Sequence, residues 1–271
     1  MIPTTFKDQY ISCKNKEQYL GDLLLIHGYC VEYSYFNAAK AVDELSKYFN
    51  VYLLDLPGHG TNKEGIVPED MKLWRIADYI ASYIEHKKLN NFYLMGHSMG
   101  GALVSLVTTK IPEKIKKLFL ITPANPSAWH VGFKAFYIFF PKNMDQKNRL
   151  LKCLYAPQNY EKFSKNPEWV KMNQEQLQFQ LDNWDNMKAL YKELSKASLT
   201  YVKRAQKAIT IPMVLMVGKY DRTIPAKWAL KFFKKHHSEQ QLKTYLFENS
   251  GHLIFEEEPE LFVQRVLENC K

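Results

Sequence analysis

The chain has 271 residues, of which 46% are hydrophobic, 14% aromatic and 24% charged, ordinary globular usage that excludes a disordered, collagenous or disulfide-dense protein. That length is close to where a single core divides, so one large domain carrying an insertion is the expected organisation. The net charge of +9 comes mainly from lysine, with only five arginines among 37 basic residues, and base reading and phosphate clamping favour guanidinium, so no nucleic-acid partner is expected.

In chain order, residues 3–12 with 17–21 are predicted as an antiparallel hairpin at one sheet edge. Strands follow at 22–26, 50–54, 91–95 and 116–121, separated by helical patterns at 36–48, 70–88 and 99–110. After a break come strands at 212–217 and 243–247 with helices at 226–236 and 260–269, the last started by Pro259. Short apolar runs alternating with amphipathic stretches imply an α/β fold, a mostly parallel sheet flanked by helices. The break, residues 123–208, has no strand pattern. Its helical patterns carry Trp129, Phe133, Phe136, Tyr137, Phe140, Trp169, Phe179, Trp184 and Met187. It reads as a helical cap inserted into a core domain made of residues 1–122 and 209–271.

Gly96-His97-Ser98-Met99-Gly100 matches G-x-S-x-G between the strand ending at Met95 and the helix starting near Met99. Alone the pentapeptide is weak; between strand and helix it reads as a nucleophile elbow, with Gly96 and Gly100 present because a Cβ there would clash. A serine hydroxyl needs a base, and the base needs a partner that fixes its tautomer. Asp221 in GKYDRTIP and His252 in ENSGHL each follow a predicted strand, and the carboxyl ends of parallel strands share one rim. The order Ser98, Asp221, His252 is that of the α/β-hydrolase triad.

Two backbone N–H groups are candidates for an oxyanion hole, in which one donor is worth about 2.7–4 kcal/mol. Met99 follows the nucleophile at a helix start, and Tyr29 follows His27 and Gly28 beyond the strand at 22–26. His27 is assigned a loop-bracing role. Asp55 and His59 in DLPGHG read as turn residues, Cys30 as a small loop residue, and His236 with His237 as exposed side chains. No metal or cofactor is required.

Together HGYC, DLPGHG, GHSMGG, GKYDRTIP and SGHL resemble the α/β-hydrolase superfamily across nearly the whole chain, most closely its esterase and monoacylglycerol-lipase branch. The resemblance implies an eight-stranded sheet with a cap after the sixth strand. Ser98 departs from relatives with an aspartate nucleophile, and HGYC departs from the glycine- and proline-rich loop of proline iminopeptidases. The expected activity is hydrolysis of carboxylic esters through an acyl-enzyme. An aromatic- and methionine-rich cap suits a small apolar ester of short to medium acyl length, monoacylglycerol included. The alternatives are an acyl thioesterase using the same three residues and a non-catalytic ligand receptor.

Cys13, Cys30, Cys153 and Cys270 show no C-x-x-C spacing, and no leader-like or membrane-spanning apolar run is seen. Free thiols, a cytoplasmic location and at most weak peripheral membrane contact are expected.

Overall fold

The computed structural model describes residues 5–38, 40–126, 138–194 and 196–270. Six parallel strands form the body of the sheet: β2 (Gly21–Ile26), β3 (Phe49–Leu54), β4 (Phe92–His97), β5 (Ile115–Ile121), β6 (Met213–Gly218) and β7 (Leu242–Phe247). A short β1 (Asp8–Ile11) pairs antiparallel with β3, giving the order β1-β3-β2-β4-β5-β6-β7. The sheet therefore has seven strands among the described residues, not eight.

The predicted edge hairpin does not form. Lys16–Gln18 make a 3-10 turn capped by the Asn15 side chain, and the flanking backbone is tied elsewhere. The Cys13 N–H donates to Asn50 Oδ1 (2.9 Å), the Lys14 N–H to the Ser46 carbonyl (2.7 Å) and the Leu20 N–H to the Tyr48 carbonyl (2.8 Å). The Leu20 bond takes a donor of the predicted second arm, and those of Cys13 and Lys14 tie the connecting segment to the α2–β3 region.

Successive strand residues enter opposite layers, as a period of two requires. Leu24, Ile26, Phe92, Leu94, Leu215 and Val217 pack into one buried cluster; Leu23, Leu25, Tyr93, Met95, Val214 and Met216 pack into the other. Both faces are covered, which is why these strands read as continuous apolar runs. The first layer is closed by α3 (Leu73–His86) and α4 (Met99–Thr108). The second is closed by α1 (Ser34–Ala38), α2 (Ala41–Leu45), and two further helices near the C-terminus. The helix predicted at 36–48 is split into α1 and α2, with Lys40 between them in a left-handed conformation (φ 57°).

Among the described residues, the helices between β5 and β6 include α5 (Met144–Leu154), α6 (Pro157–Phe163), α7 (Pro167–Asp182), α8 (Trp184–Glu193) and α9 (Lys196–Ala208). No strand interrupts them among the described residues. Trp129, Phe133, Phe136 and Tyr137 lie outside the described residues. Beyond β6, α10 (Ala226–His236) has the predicted bounds, and α11 (Ile254–Glu257) and α12 (Pro259–Glu268) finish the second layer. No described helix is long and apolar enough to cross a membrane.

Candidate active site

The carboxyl edge of the sheet gathers the polar residues singled out in the sequence. Ser98 stands between β4 and α4 at φ 55° and ψ −118°, a conformation that costs a residue with a Cβ on the order of 1–3 kcal/mol. Hydrogen bonds hold it there: the Ser98 N–H donates to the Ile121 carbonyl (3.0 Å), and the Ser98 carbonyl accepts from Gly101 (3.0 Å) and Ala124 (2.8 Å). The glycines let the helix close on the strands. A Cβ at Gly96 would come within 2.5 Å of the Gly100 carbonyl oxygen, and one at Gly100 would overlap the Ile26 carbonyl. Gly28 lies over the elbow, where a Cβ would sit 3.2 Å from that of Ser98.

Asp221 and His252 are brought together from the loops after β6 and β7. His252 Nδ1–H donates to Asp221 Oδ2 at 2.6 Å, and the carboxylate is buried. Its other oxygen accepts from the Thr223 N–H (2.8 Å), the Thr223 hydroxyl (2.7 Å) and the Ile224 N–H (2.8 Å). With Nδ1 committed, Nε2 is the free lone pair of the ring. Ser98 and His252 line one cavity, without a direct hydrogen bond between their side chains; such bonds are often long in a free enzyme and tighten around substrate.

The Tyr29 and Met99 N–H groups find no acceptor among the described residues. The Tyr29 hydroxyl donates to the Met187 carbonyl (3.0 Å) in α8. His27 is fully buried: Nδ1–H donates to the Gly28 carbonyl (2.8 Å), and Nε2 accepts from the Leu56 N–H (3.1 Å). His59 does the same from the opposite loop, donating to the Pro57 carbonyl (3.0 Å) and accepting from the Cys30 N–H (3.2 Å). Burial lowers the two imidazoles to about 4 and about 3 respectively, so both are neutral braces between the HGYC and DLPGHG loops. Asp55 joins them by accepting from the Tyr33 and Thr61 N–H groups.

The alpha/beta hydrolase fold family model matches residues 23–259, a span that includes Ser98, Asp221 and His252. The chain belongs to this family. It is similar to "Putative esterase/lipase 2" of Mycoplasma pneumoniae, 27% identical over 92% of this chain and 90% of that protein. A second protein of that organism, "Putative esterase/lipase 3", is 29% identical over 89% of this chain and 83% of its own length. Among solved structures, a thermophilic esterase from Thermogutta terrifontis matches with a TM-score of 0.73 at 20% identity, covering 97% of this chain and 92% of that one. An esterase from Exiguobacterium antarcticum matches at 0.75 and 17% identity, covering 98% and 95%.

On this alpha/beta hydrolase scaffold a second tier of residues went unread in the sequence. His97, the variable position of the elbow motif, donates from Nε2 to the His252 carbonyl (3.0 Å) and accepts at Nδ1 from the Tyr35 hydroxyl (2.9 Å). The Thr122 hydroxyl donates to the same carbonyl (3.0 Å). Burial, then the neighbouring His252, holds His97 well below the usual imidazole range, so it stays neutral. The cavity holds a further surprise. Of the aromatics attributed to the 123–208 segment, Trp169 packs on Tyr155 and Trp184 on Phe140, and neither lines the cavity. The wall from this segment is instead Phe139, Leu150, Leu151, Leu154, Tyr155 and Met172, with Lys147, Asn173, Gln176 and Gln180 among them. Asn173, Gln176 and Gln180 are three and four residues apart, a helix-face spacing that was visible in the sequence. His236 and His237 are half-buried rather than exposed, His237 donating to the Gln206 carbonyl (2.8 Å). Among the described residues no three His, Cys, Asp or Glu side chains converge as metal ligands.

Proposed function

We propose that the protein is a serine hydrolase that cleaves carboxylic esters, with Ser98 as nucleophile, His252 as general base and acid, and Asp221 as the group that orients it. The observation that carries this reading is the shared rim. A positive-φ serine after β4 and a histidine after β7, hydrogen-bonded to a buried aspartate after β6, meet at the carboxyl edge of one sheet, and the serine and histidine line one cavity.

In the first half-reaction Ser98 Oγ attacks the ester carbonyl while His252 Nε2 accepts the hydroxyl proton. The carbonyl oxygen, now an alkoxide, is received by the Tyr29 and Met99 N–H groups, which need no reorganisation. The carbon–oxygen bond to the alcohol breaks, and His252 returns the proton to the departing oxygen. Water deprotonated by His252 then attacks the acyl-serine; the acyl–Oγ bond breaks, His252 returns the proton to Ser98 Oγ, and the carboxylic acid is released. Asp221 keeps Nδ1 protonated throughout, so that Nε2 is the atom presented to Ser98. Helices within 123–208 act as the cap over this site, consistent with the α5 residues that line the cavity. The free thiols at Cys13, Cys30, Cys153 and Cys270 fit a cytoplasmic enzyme. Relatives named as esterases support the same chemistry.

The test is a chain-length series of 4-nitrophenyl esters hydrolysed by wild type and by Ser98→Ala. The expected result is turnover by wild type and a fall on the order of 10⁶-fold in kcat for the variant, with its thermal melt nearly unchanged. Equal turnover by the two proteins would refute the nucleophile.

A further inference from the structure

Lys147, on α5, lines the same cavity as Ser98 and His252 and is only 6% exposed. An ammonium carries three donors. Here it has one side-chain acceptor, Gln176 Oε1 at 3.2 Å. No carboxylate lies within ion-pair distance of it among the described residues, and none lines the cavity. The titratable neighbour of Lys147 is Cys30, in the loop that also carries Tyr29. Burial pushes that thiol up to about 12, so it stays neutral and supplies no counter-charge. The same burial lowers the lysine below its ordinary range.

An unpaired buried cation is costly, and proteins retain one where a ligand completes the pair. The surroundings define that ligand. Asn173 and Gln180 extend the polar stripe along α7, and leucines and Met172 fill the space between, so an apolar chain with one polar end fits the shape. The space between the lining atoms is about 710 Å³ with its open mouth included, yet the centre of a water molecule can occupy only about 80 Å³ of it. The slot is narrow. A single ammonium balances one singly charged carboxylate, whereas a phosphate dianion would bring a second negative charge into a slot lined by no other cation among the described residues.

We infer that Lys147 sets the specificity of this site for esters that bear a carboxylate on one arm, such as monoesters of dicarboxylic acids. The inference deepens the ester-hydrolase reading and rests on it. Lys147 acts by holding the far end of the substrate; it does not touch the scissile bond.

The test pairs 4-nitrophenyl monoesters of succinate, glutarate and adipate with the neutral 4-nitrophenyl esters of equal chain length. A second pair places the carboxylate on the alcohol, as butyryl esters of short ω-hydroxy acids against butyryl esters of plain alcohols. Wild type is expected to favour the anionic member at least tenfold in kcat/KM at one chain length of one series. Lys147→Met is expected to bring that ratio to one or below, and Lys147→Arg to keep it above one. Preference for the neutral ester throughout, or a ratio unmoved in Lys147→Met, overturns the inference. Because the methionine variant could misfold, wild type is also melted with free glutarate or adipate, with the matching diamides, and with inorganic phosphate. A dicarboxylate that raises Tm where diamide and phosphate do not supports the inference; a rise with diamide or phosphate alone, or no rise with any of them, overturns it. Neutral-ester turnover that depends on Ser98 reports separately on the hydrolase reading.

Discussion

The cavity has two walls of different character. The sheet wall consists of strand ends and tight loops in which nearly every polar atom is fixed: Ser98 by backbone bonds to Ile121, Gly101 and Ala124, Asp221 by Thr223 and Ile224, His252 by Asp221, His97 and Thr122. The helical wall, from α5 and α7, presents leucines, and amides and a lysine bonded within the 123–208 segment: Lys147 to Gln176, Asn173 to the Trp169 carbonyl and Gln180 to the Phe139 carbonyl. Where the walls meet, α5 is fastened to the loops of the sheet wall. The His252 N–H donates to the Leu154 carbonyl, and the Arg222 N–H donates to the Cys153 carbonyl at 3.1 Å. Under the proposed function the difference is a division of labour: the bond-making geometry is held by bonds to the backbone and between loops, and selection among substrates falls to side chains on a separate layer.

Changes on the sheet wall are therefore expected to act on kcat, while those on the helical wall act on the choice of ester, as set out for Lys147. Asp221→Asn is expected to lower kcat on the order of 10⁴-fold with little change in KM, because the amide favours the wrong tautomer of His252. Steady-state kinetics on one neutral ester check this, and a loss confined to KM would break the division. Gly100→Ala is expected to cost about 3 kcal/mol of stability, since its Cβ overlaps the Ile26 carbonyl of the adjacent strand. Urea unfolding measures that loss.

The smallest effect concerns the loop braces. His27 and His59 titrate at about 4 and about 3 in the folded protein, below the ordinary unfolded value near 6.5. Between those limits the unfolded chain binds protons that the native chain refuses, so stability is complete above about 6.5 and falls as pH drops. The buried Glu256 carboxyl, pushed up to about 7 by burial, works in the opposite sense: its contribution is complete below the ordinary carboxylate range and lost as pH rises through 7. His27→Gln is expected to lose about 2 kcal/mol less than wild type between pH 6.5 and 4.5. Urea midpoints at the two values decide it, and parallel pH profiles would place the proton uptake elsewhere.

The same division explains what the sequence revealed. Each parallel strand lies within a residue or two of its predicted place, and in β2, β4 and β6 burial on both sides leaves the uninterrupted apolar run that marks it. Ser98, Asp221 and His252 carry local signals: a glycine-flanked turn, and polar residues just beyond strands. The absence of the edge hairpin is not legible locally because its competitor is long-range, the bonds of Cys13, Lys14 and Leu20 to the α2–β3 region. His97 was passed over because its role depends on Tyr35 and His252, 62 and 155 residues away. Lys147 was unreadable for a related reason. A lysine on an amphipathic helix ordinarily faces solvent, and only the packing of α5 against α7 and the HGYC loop buries it.

The most direct measurement is to expose the folded protein to an activated alkyl phosphonate and locate the adduct by peptide mass spectrometry. The account predicts one stoichiometric adduct on Ser98, lost in Ser98→Ala and slowed in Asp221→Asn. An adduct on another residue, or none while the protein remains folded, would contradict it.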